Sequence, residues 1–241
     1  MHLAEATWTD ADSIETDLAL VPVGSTEQHG PHAPLGTDTL TARTIATAGA
    51  DAYEEATDHE VVVAPAIPVA VAEEHRQFSG TLWISPDTFR SYVREIVSSL
   101  ASHGWTKTVL VNGHGGNVGA LREVAAAITR HDDAYAVPFT WFEATASMGE
   151  MGHGGPLETT LLRAIEPDLV REERIEEARA GASERWGEWV SKTNIAFDSV
   201  EFTDNGVVGD PSEGDAERGE ELLERATTAL VALLEAIEKR A

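Results

Sequence analysis

Four short apolar runs, each followed by a polar loop or a stretch with helical spacing, set the tightest limit on what this chain can fold into. Leu18–Val23 (LALVPV), 61–64 (VVVA), 108–111 (TVLV) and 134–141 have the length and apolar density of buried strands. Segments 39–56, 86–103 and 118–130 instead space their apolar residues as one face of a helix. In 86–103 that face is Phe89, Val93, Ile96, Val97 and Leu100. Another helix is expected to begin within or form 158–164. A last one is expected over 215–239, with Leu222, Leu223, Ala226, Leu230 and Leu233 inward. Strands alternating with helices predict βαβ units and an α/β fold built on a mainly parallel sheet. No internal repeat, low-complexity tract or linker interrupts the pattern, so one domain over 1–241 is expected.

Composition removes several kinds of chemistry. Cysteine is absent, which excludes disulfides, thiolate nucleophiles and Cys-zinc sites and leaves histidine and carboxylates as the strong metal ligands. No run of about 18 apolar residues is present to span a bilayer. The polar, acidic start is wrong for a signal or transit peptide, so a cytoplasmic location is expected. Acidic residues number 42 against 17 basic ones, a formal charge of −25, and only Lys107, Lys192 and Lys239 are lysines. Such a surface repels nucleic acid and anionic membranes, which are gripped by clustered Lys and Arg. The acidity reads either as an interaction surface or as adaptation to a salt-rich cytoplasm. Its spread along the whole chain favours a halophilic source.

Three loops carry the unusual polar residues, and each follows an apolar run. The first holds Glu27, His29, His32 and Asp38. Residues two apart on an extended backbone point the same way, so Glu27 and His29 can present an oxygen and an imidazole together, a donor pair suited to zinc or manganese. The bland alternative is a surface loop shaped by Gly30, Pro31, Pro34 and Gly36. The second is Asn112-Gly113-His114-Gly115-Gly116-Asn117, whose glycines allow close backbone approach to a ligand and whose spacing is not that of a nucleotide loop. The third is His153-Gly154-Gly155-Pro156-Leu157-Glu158. Here Glu158 is either a carboxylate that suits a helix start or a metal ligand. In open α/β sheets ligands gather at strand carboxyl ends, so the three loops are expected to converge.

VPVGSTEQHGPHAPLGTD, NGHGGN, HGGPLET and the late GVVGDPSEGDAERGEELL resemble the signatures of the creatininase family, in order and over nearly the whole chain. The stretch PAIPVAVAEEHRQFSGTLWI, with Glu74-His75, also resembles it. The resemblance implies a three-layer αβα domain, often assembled as a hexamer. It also implies a two-metal centre of zinc or manganese, with iron as an alternative, held by Glu27, His29, Asp38 and His114, with Asp38 bridging. Some family members carry a carboxylate where this chain has Gly116, and Glu158 is the candidate for the missing ligand. His153 is then the group that shuttles a proton to the departing nitrogen of an amide, and His32 shapes the loop. Glu74 and His75 line the substrate pocket or a subunit contact.

The family includes creatinine hydrolases, an archaeal formamide hydrolase of flavin and deazaflavin biosynthesis, and a peptidase that matures a peptide-derived redox cofactor. Creatinine-hydrolysing members place a tryptophan just ahead of the histidine matched by His153. Segment 147–152 (SMGEMG) contains none, with Trp141 further back and Trp186 and Trp189 elsewhere. The expectation is therefore a metal-dependent amidohydrolase acting on a small-molecule amide, cyclic amide, formamide or peptide. A metal-binding protein that has lost catalysis is the non-enzymatic alternative.

Overall fold

The computed structural model describes residues 1–145 and 151–240. After the short α1 (Trp8–Ser13) the chain runs through β1 (Leu18–Val23), α2 (Thr37–Thr57), β2 (Val62–Val63), α3 (Pro86–Ser102), β3 (Lys107–Asn112), α4 (Val118–His131) and β4 (Tyr135–Thr140). Then come α5 (Trp141–Thr145), α6 (Pro156–Ile165), α7 (Ile175–Ala180), a hairpin of β5 (Trp189–Val190) and β6 (Thr193–Asn194), and α8 (Ala216–Glu238). The four main strands form one parallel sheet in the order β2-β1-β3-β4.

Alternation along β1 builds the layers. Leu18 and Leu20 face one way, into a core shared with Ile45 and Tyr53 of α2, Leu157 and Leu161 of α6, and Leu230 and Leu234 of α8. Ala19, Val21 and Val23 face the other way, onto Phe89, Val93 and Val97 of α3 and Leu121, Val124 and Ile128 of α4. Helices thus cover both faces of the sheet, the three-layer αβα arrangement that the family resemblance implies. β1 sits between β2 and β3, so the chain reverses its direction of sheet growth after β2. The crevice at the carboxyl ends of β1 and β3 lies at that reversal, where open α/β sheets bind ligands.

Several local expectations shift. The buried seam of α8 is Leu222, Ala226, Leu230, Leu234 and Ile237, while Leu223 and Leu233 only flank it. Steps of four residues keep that seam on the long contact with α2 and α6, and Leu233 lies a residue off it. Trp141 opens α5 instead of closing β4, and α6 begins at Pro156, two residues earlier than expected. Proline is well tolerated there, because the first turn of a helix does not need its N–H. Residues 147–150 of the stretch ahead of His153 lie outside the described residues.

Candidate metal centre

Local structure aims each polar side chain inward. The loop after β1 folds back on itself: the Glu27 N–H donates to Leu35 O at 2.9 Å, and the Gly30 N–H to Gln28 Oε1 at 2.8 Å. Asp38 follows in the first turn of α2. β3 delivers His114, which Asn112 clamps by accepting from its N–H at 3.1 Å and donating to its carbonyl at 2.8 Å. Gly113 is needed beside it, because a Cβ there would lie 2.2 Å from the Asp38 carbonyl oxygen. Two backbone hydrogen bonds with Val208, at 3.0 and 2.8 Å, hold His153. Glu158, in the first turn of α6, accepts from the Gly154 N–H at 2.6 Å.

These segments bring Glu27, His29, Asp38, His114, His153 and Glu158 into one buried cluster. His114 Nδ1 lies 3.1 Å from Glu27 Oε1 and 3.2 Å from Asp38 Oδ2. His29 Nε2 lies 3.1 Å from Asp38 Oδ1 and 3.7 Å from Glu158 Oε2. The two oxygens of Asp38 are therefore divided between two imidazoles. His153 Nδ1 is 3.7 Å from Glu27 Oε1, and its ring centroid is 4.3 Å from that of His29.

The far nitrogen of each of these three rings meets a backbone carbonyl: His29 Nδ1 with Glu27 O at 3.2 Å, His114 Nε2 with Val71 O at 2.5 Å, and His153 Nε2 with Gln28 O at 2.5 Å. A carbonyl only accepts, so those nitrogens carry the hydrogen. In the neutral ring the lone pair then faces the carboxylates, the orientation a metal-ligating histidine needs. His75 is reversed. Its Nδ1 accepts from Gln28 Nε2 at 2.9 Å, and Gln28 is fixed in that orientation by the Gly30 N–H and by donation to Gly206 O at 3.0 Å. The hydrogen of neutral His75 is therefore on Nε2, 3.5 Å from Glu27 Oε1. Although His75 clusters with Glu27 and His153 at metal-ligand spacing, it turns an N–H rather than a lone pair toward Glu27.

Charge is balanced by protons in this cluster. Both Glu27 oxygens and Asp38 Oδ2 are buried without a hydrogen-bond partner. Orphaned acceptors of this kind cost about 1–3 kcal/mol each unless something cationic satisfies them. Burial pushes Glu27 up to about 7, against the pull of His114. Burial would also raise Asp38, but His29 and His114 overcome it and hold the carboxyl well below its ordinary value. Burial opposes charge on His29 and His114 as well, yet Asp38 with Glu158, and Glu27 with Asp38, lift them well above the usual imidazole value. His153 and His75 go the other way: burial and the neighbouring histidines drive both down, His75 to about 3. The donor set fits divalent ions, since cations there would satisfy the orphaned oxygens and replace the protons on two imidazoles.

His32 does not join the cluster. Its Nε2 bonds Thr159 Oγ1 at 2.8 Å, tying the first loop to α6, as a loop-shaping residue should. His75 does enter the site, and so does Trp186, which the sequence placed elsewhere. Its ring meets His75 and His153 edge-on, with centroids 5.6 and 6.0 Å away. An aromatic wall thus reaches His153 from 33 residues downstream, across a distance no local pattern reveals. The neighbouring cavity, of about 780 Å3, is lined among others by Glu74, His114, Gly116, Leu157, Trp186 and Val208.

An open parallel α/β sheet with buried histidines and carboxylates at the carboxyl ends of its central strands defines the chain as a metal-binding hydrolase. It belongs to the creatininase family, whose model, described as creatinine amidohydrolase, matches residues 4–234; the relatives it matches are named as peptidases, a creatinine amidohydrolase and an inosose hydrolase. The chain is 36% identical over 207 residues to the mycofactocin precursor peptide peptidase of Mycolicibacterium smegmatis, covering 85% of this chain and 79% of that protein. It is 26% identical over 202 residues to the creatinine amidohydrolase of Pseudomonas putida, covering 73% and 75%. Among solved structures, a creatinine amidohydrolase (creatininase) has the same fold, with a TM-score of 0.81 at 22% identity over 100% of this chain and 98% of that one. Two further creatininase structures of this fold are described as a Zn-Zn type (TM-score 0.79, 21% identity, 99% and 98% covered) and as Mn (0.77, 23%, 99% and 99%).

Proposed function

We propose that this chain hydrolyses an amide bond in a peptide-like substrate, using two divalent ions held by Glu27, Asp38 and His114 on one side and by His29, Asp38 and Glu158 on the other. The observation that carries the proposal is the division of the Asp38 oxygens between His29 and His114, each of which faces a second carboxylate. When bound, such ions supply hydroxide at neutral pH and polarise the scissile carbonyl. The chain's own contribution is positional. Backbone carbonyls lock the three imidazoles in one tautomer, and the His75 N–H steadies Glu27. His153 Nδ1 takes a proton from the attacking water and delivers it to the departing nitrogen, leaving an amine and a carboxylic acid that then releases its proton to solvent. With its Nε2 hydrogen held by Gln28 O, His153 presents the Nδ1 lone pair for that task.

A cavity of this size supports a substrate larger than a small heterocycle, and the mycobacterial relative named as a peptide peptidase supports the same class. Trp186 against His153 favours a second reading, a flat cyclic amide such as creatinine packed on the indole. The two are separated by measuring metal per subunit on protein purified in high salt, together with ring opening of creatinine to creatine, formate release from a formamidopyrimidine and amine release from a short peptide. Two ions and cleavage of the peptide support the first reading, and ring opening of creatinine alone supports the second. No metal after reconstitution with zinc and manganese would overturn both.

The descriptions of the related structures support zinc or manganese as the metal. We further propose one domain over 1–241, working in a salt-rich cytoplasm as a homo-oligomer. Exposed Trp83, Trp189, Val190 and Phe197 support self-association, and the charge of −25 supports salt adaptation. Among the described residues, no helix is long and apolar enough to cross a membrane.

A further inference from the structure

The position of Gly116 is occupied in space by a different residue. A Cβ built on Gly116 would stand 2.5 Å from His114 Nε2, 2.5 Å from Val71 O and 2.8 Å from Glu74 Oε1. The Glu74 carboxylate, arriving from the turn Glu73–His75, therefore stands where a side chain at 116 would begin, beside the His114 ring on the cavity wall. It is not one of the groups at metal-ligand spacing. Among the described residues no other residue's side chain hydrogen-bonds or ion-pairs with it, nor with the exposed Glu184 and Glu213 on the same wall, whereas two further carboxylates there are provided for. Glu158 has the Gly154 N–H and His29, and Asp210 has the Ser212 hydroxyl and Arg179.

A half-buried carboxylate that no neighbouring side chain hydrogen-bonds or ion-pairs is stabilised when a cation arrives. We infer that Glu74 anchors a positively charged nitrogen of the substrate, an ammonium or guanidinium lying beside the scissile amide. The inference rests on reading the cavity as the substrate site. It adds a charge requirement to the amide class: a substrate with a cationic group binds, and its neutral or anionic counterpart is disfavoured.

The test uses zinc-loaded full-length protein and three probes that differ in one group: trialanine amide with a free amino terminus, its N-acetylated form and its N-succinylated form. Binding is measured by titration calorimetry in high salt for the wild type, Glu74→Gln, Glu74→Lys and Glu184→Gln at the cavity rim. The wild type and Glu184→Gln are expected to bind the free amine about tenfold or more tightly than the acetylated probe. Glu74→Gln should remove that preference with metal content unchanged, and Glu74→Lys should favour the succinylated probe. A preference that survives in Glu74→Gln, its absence in the wild type, or loss of metal in Glu74→Gln would each overturn the assignment. Amine release is followed in parallel. Binding preference without hydrolysis of any probe counts against the amide reading and keeps the subsite, and hydrolysis without charge preference does the reverse.

Discussion

Replacing His114 by alanine tests the centre most directly, because this ring touches both Glu27 and Asp38. Binding of a structural zinc by four ligands is worth about 10–16 kcal/mol, so one ligand carries roughly 3–4 kcal/mol. At about 1.4 kcal/mol per factor of ten, losing His114 should weaken the ion between Glu27 and Asp38 by roughly 10²–10³-fold. The ion between His29 and Glu158 keeps its imidazole and both carboxylates, so it should weaken far less. The assay is metal per subunit after equilibration in a zinc buffer that just saturates the wild type, with circular dichroism as the check on folding. His114→Ala is expected to hold about one ion fewer and to lose turnover, and Glu158→Gln to lose the other ion. Glutamine at 158 can still accept from the Gly154 N–H, which keeps the start of α6 intact. His32→Ala, equally buried but tied to Thr159, should keep wild-type metal content. Wild-type metal content in a folded His114→Ala protein would refute the ligand assignment.

Four further outcomes are expected. His153→Ala should retain both ions while the rate falls by roughly 10²–10⁴-fold, and an unchanged rate would remove His153 from proton transfer. His29 and His114 hold protons that a metal must displace, so zinc affinity should rise with pH and binding should release protons, read by competition titration in buffers of different ionisation heat. For the metal-free protein the sign is opposite. The raised values of His29 and His114 contribute stability that is fully present below the unfolded value of 6.5 and lost as pH rises through their folded values, and Glu27, raised to about 7, likewise favours the folded state less as it ionises. Its melting temperature should therefore fall as pH rises above 6.5, and a flat profile would contradict the charge balance. Gly219→Ala places a Cβ 2.3 Å from the Thr160 carbonyl oxygen, where α8 crosses α6, so overpacking by about 1–3 kcal/mol should exceed the helix-propensity gain. A denaturant midpoint equal to or above that of the wild type would show that the crossing relaxes.

By itself the sequence determined the α/β pattern and the candidate ligands. β1 is one continuous apolar run, and α3 repeats its apolar residues at helical spacing; both signals are local and survive without tertiary context. The ligand candidates were legible for a related reason: Glu27, His29 and His114 stand among glycines and prolines just past buried strands, where a packed core gives them no purpose. Only the tertiary structure decided how those residues divide the work. The seam of α8 falls on Leu234 rather than Leu233 because α2 and α6, distant in sequence, set which face is covered. His75 differs from His29, His114 and His153 only in which ring nitrogen carries the hydrogen, and that is settled by Gln28 and Gly206. Trp186 reaches His153, and Glu74 the space beside Gly116, through loops whose course depends on packing contacts between residues far apart in the chain. Periodicity records which face of a segment is buried. Proton positions, shared oxygens and the wall of a cavity arise only where separate segments meet.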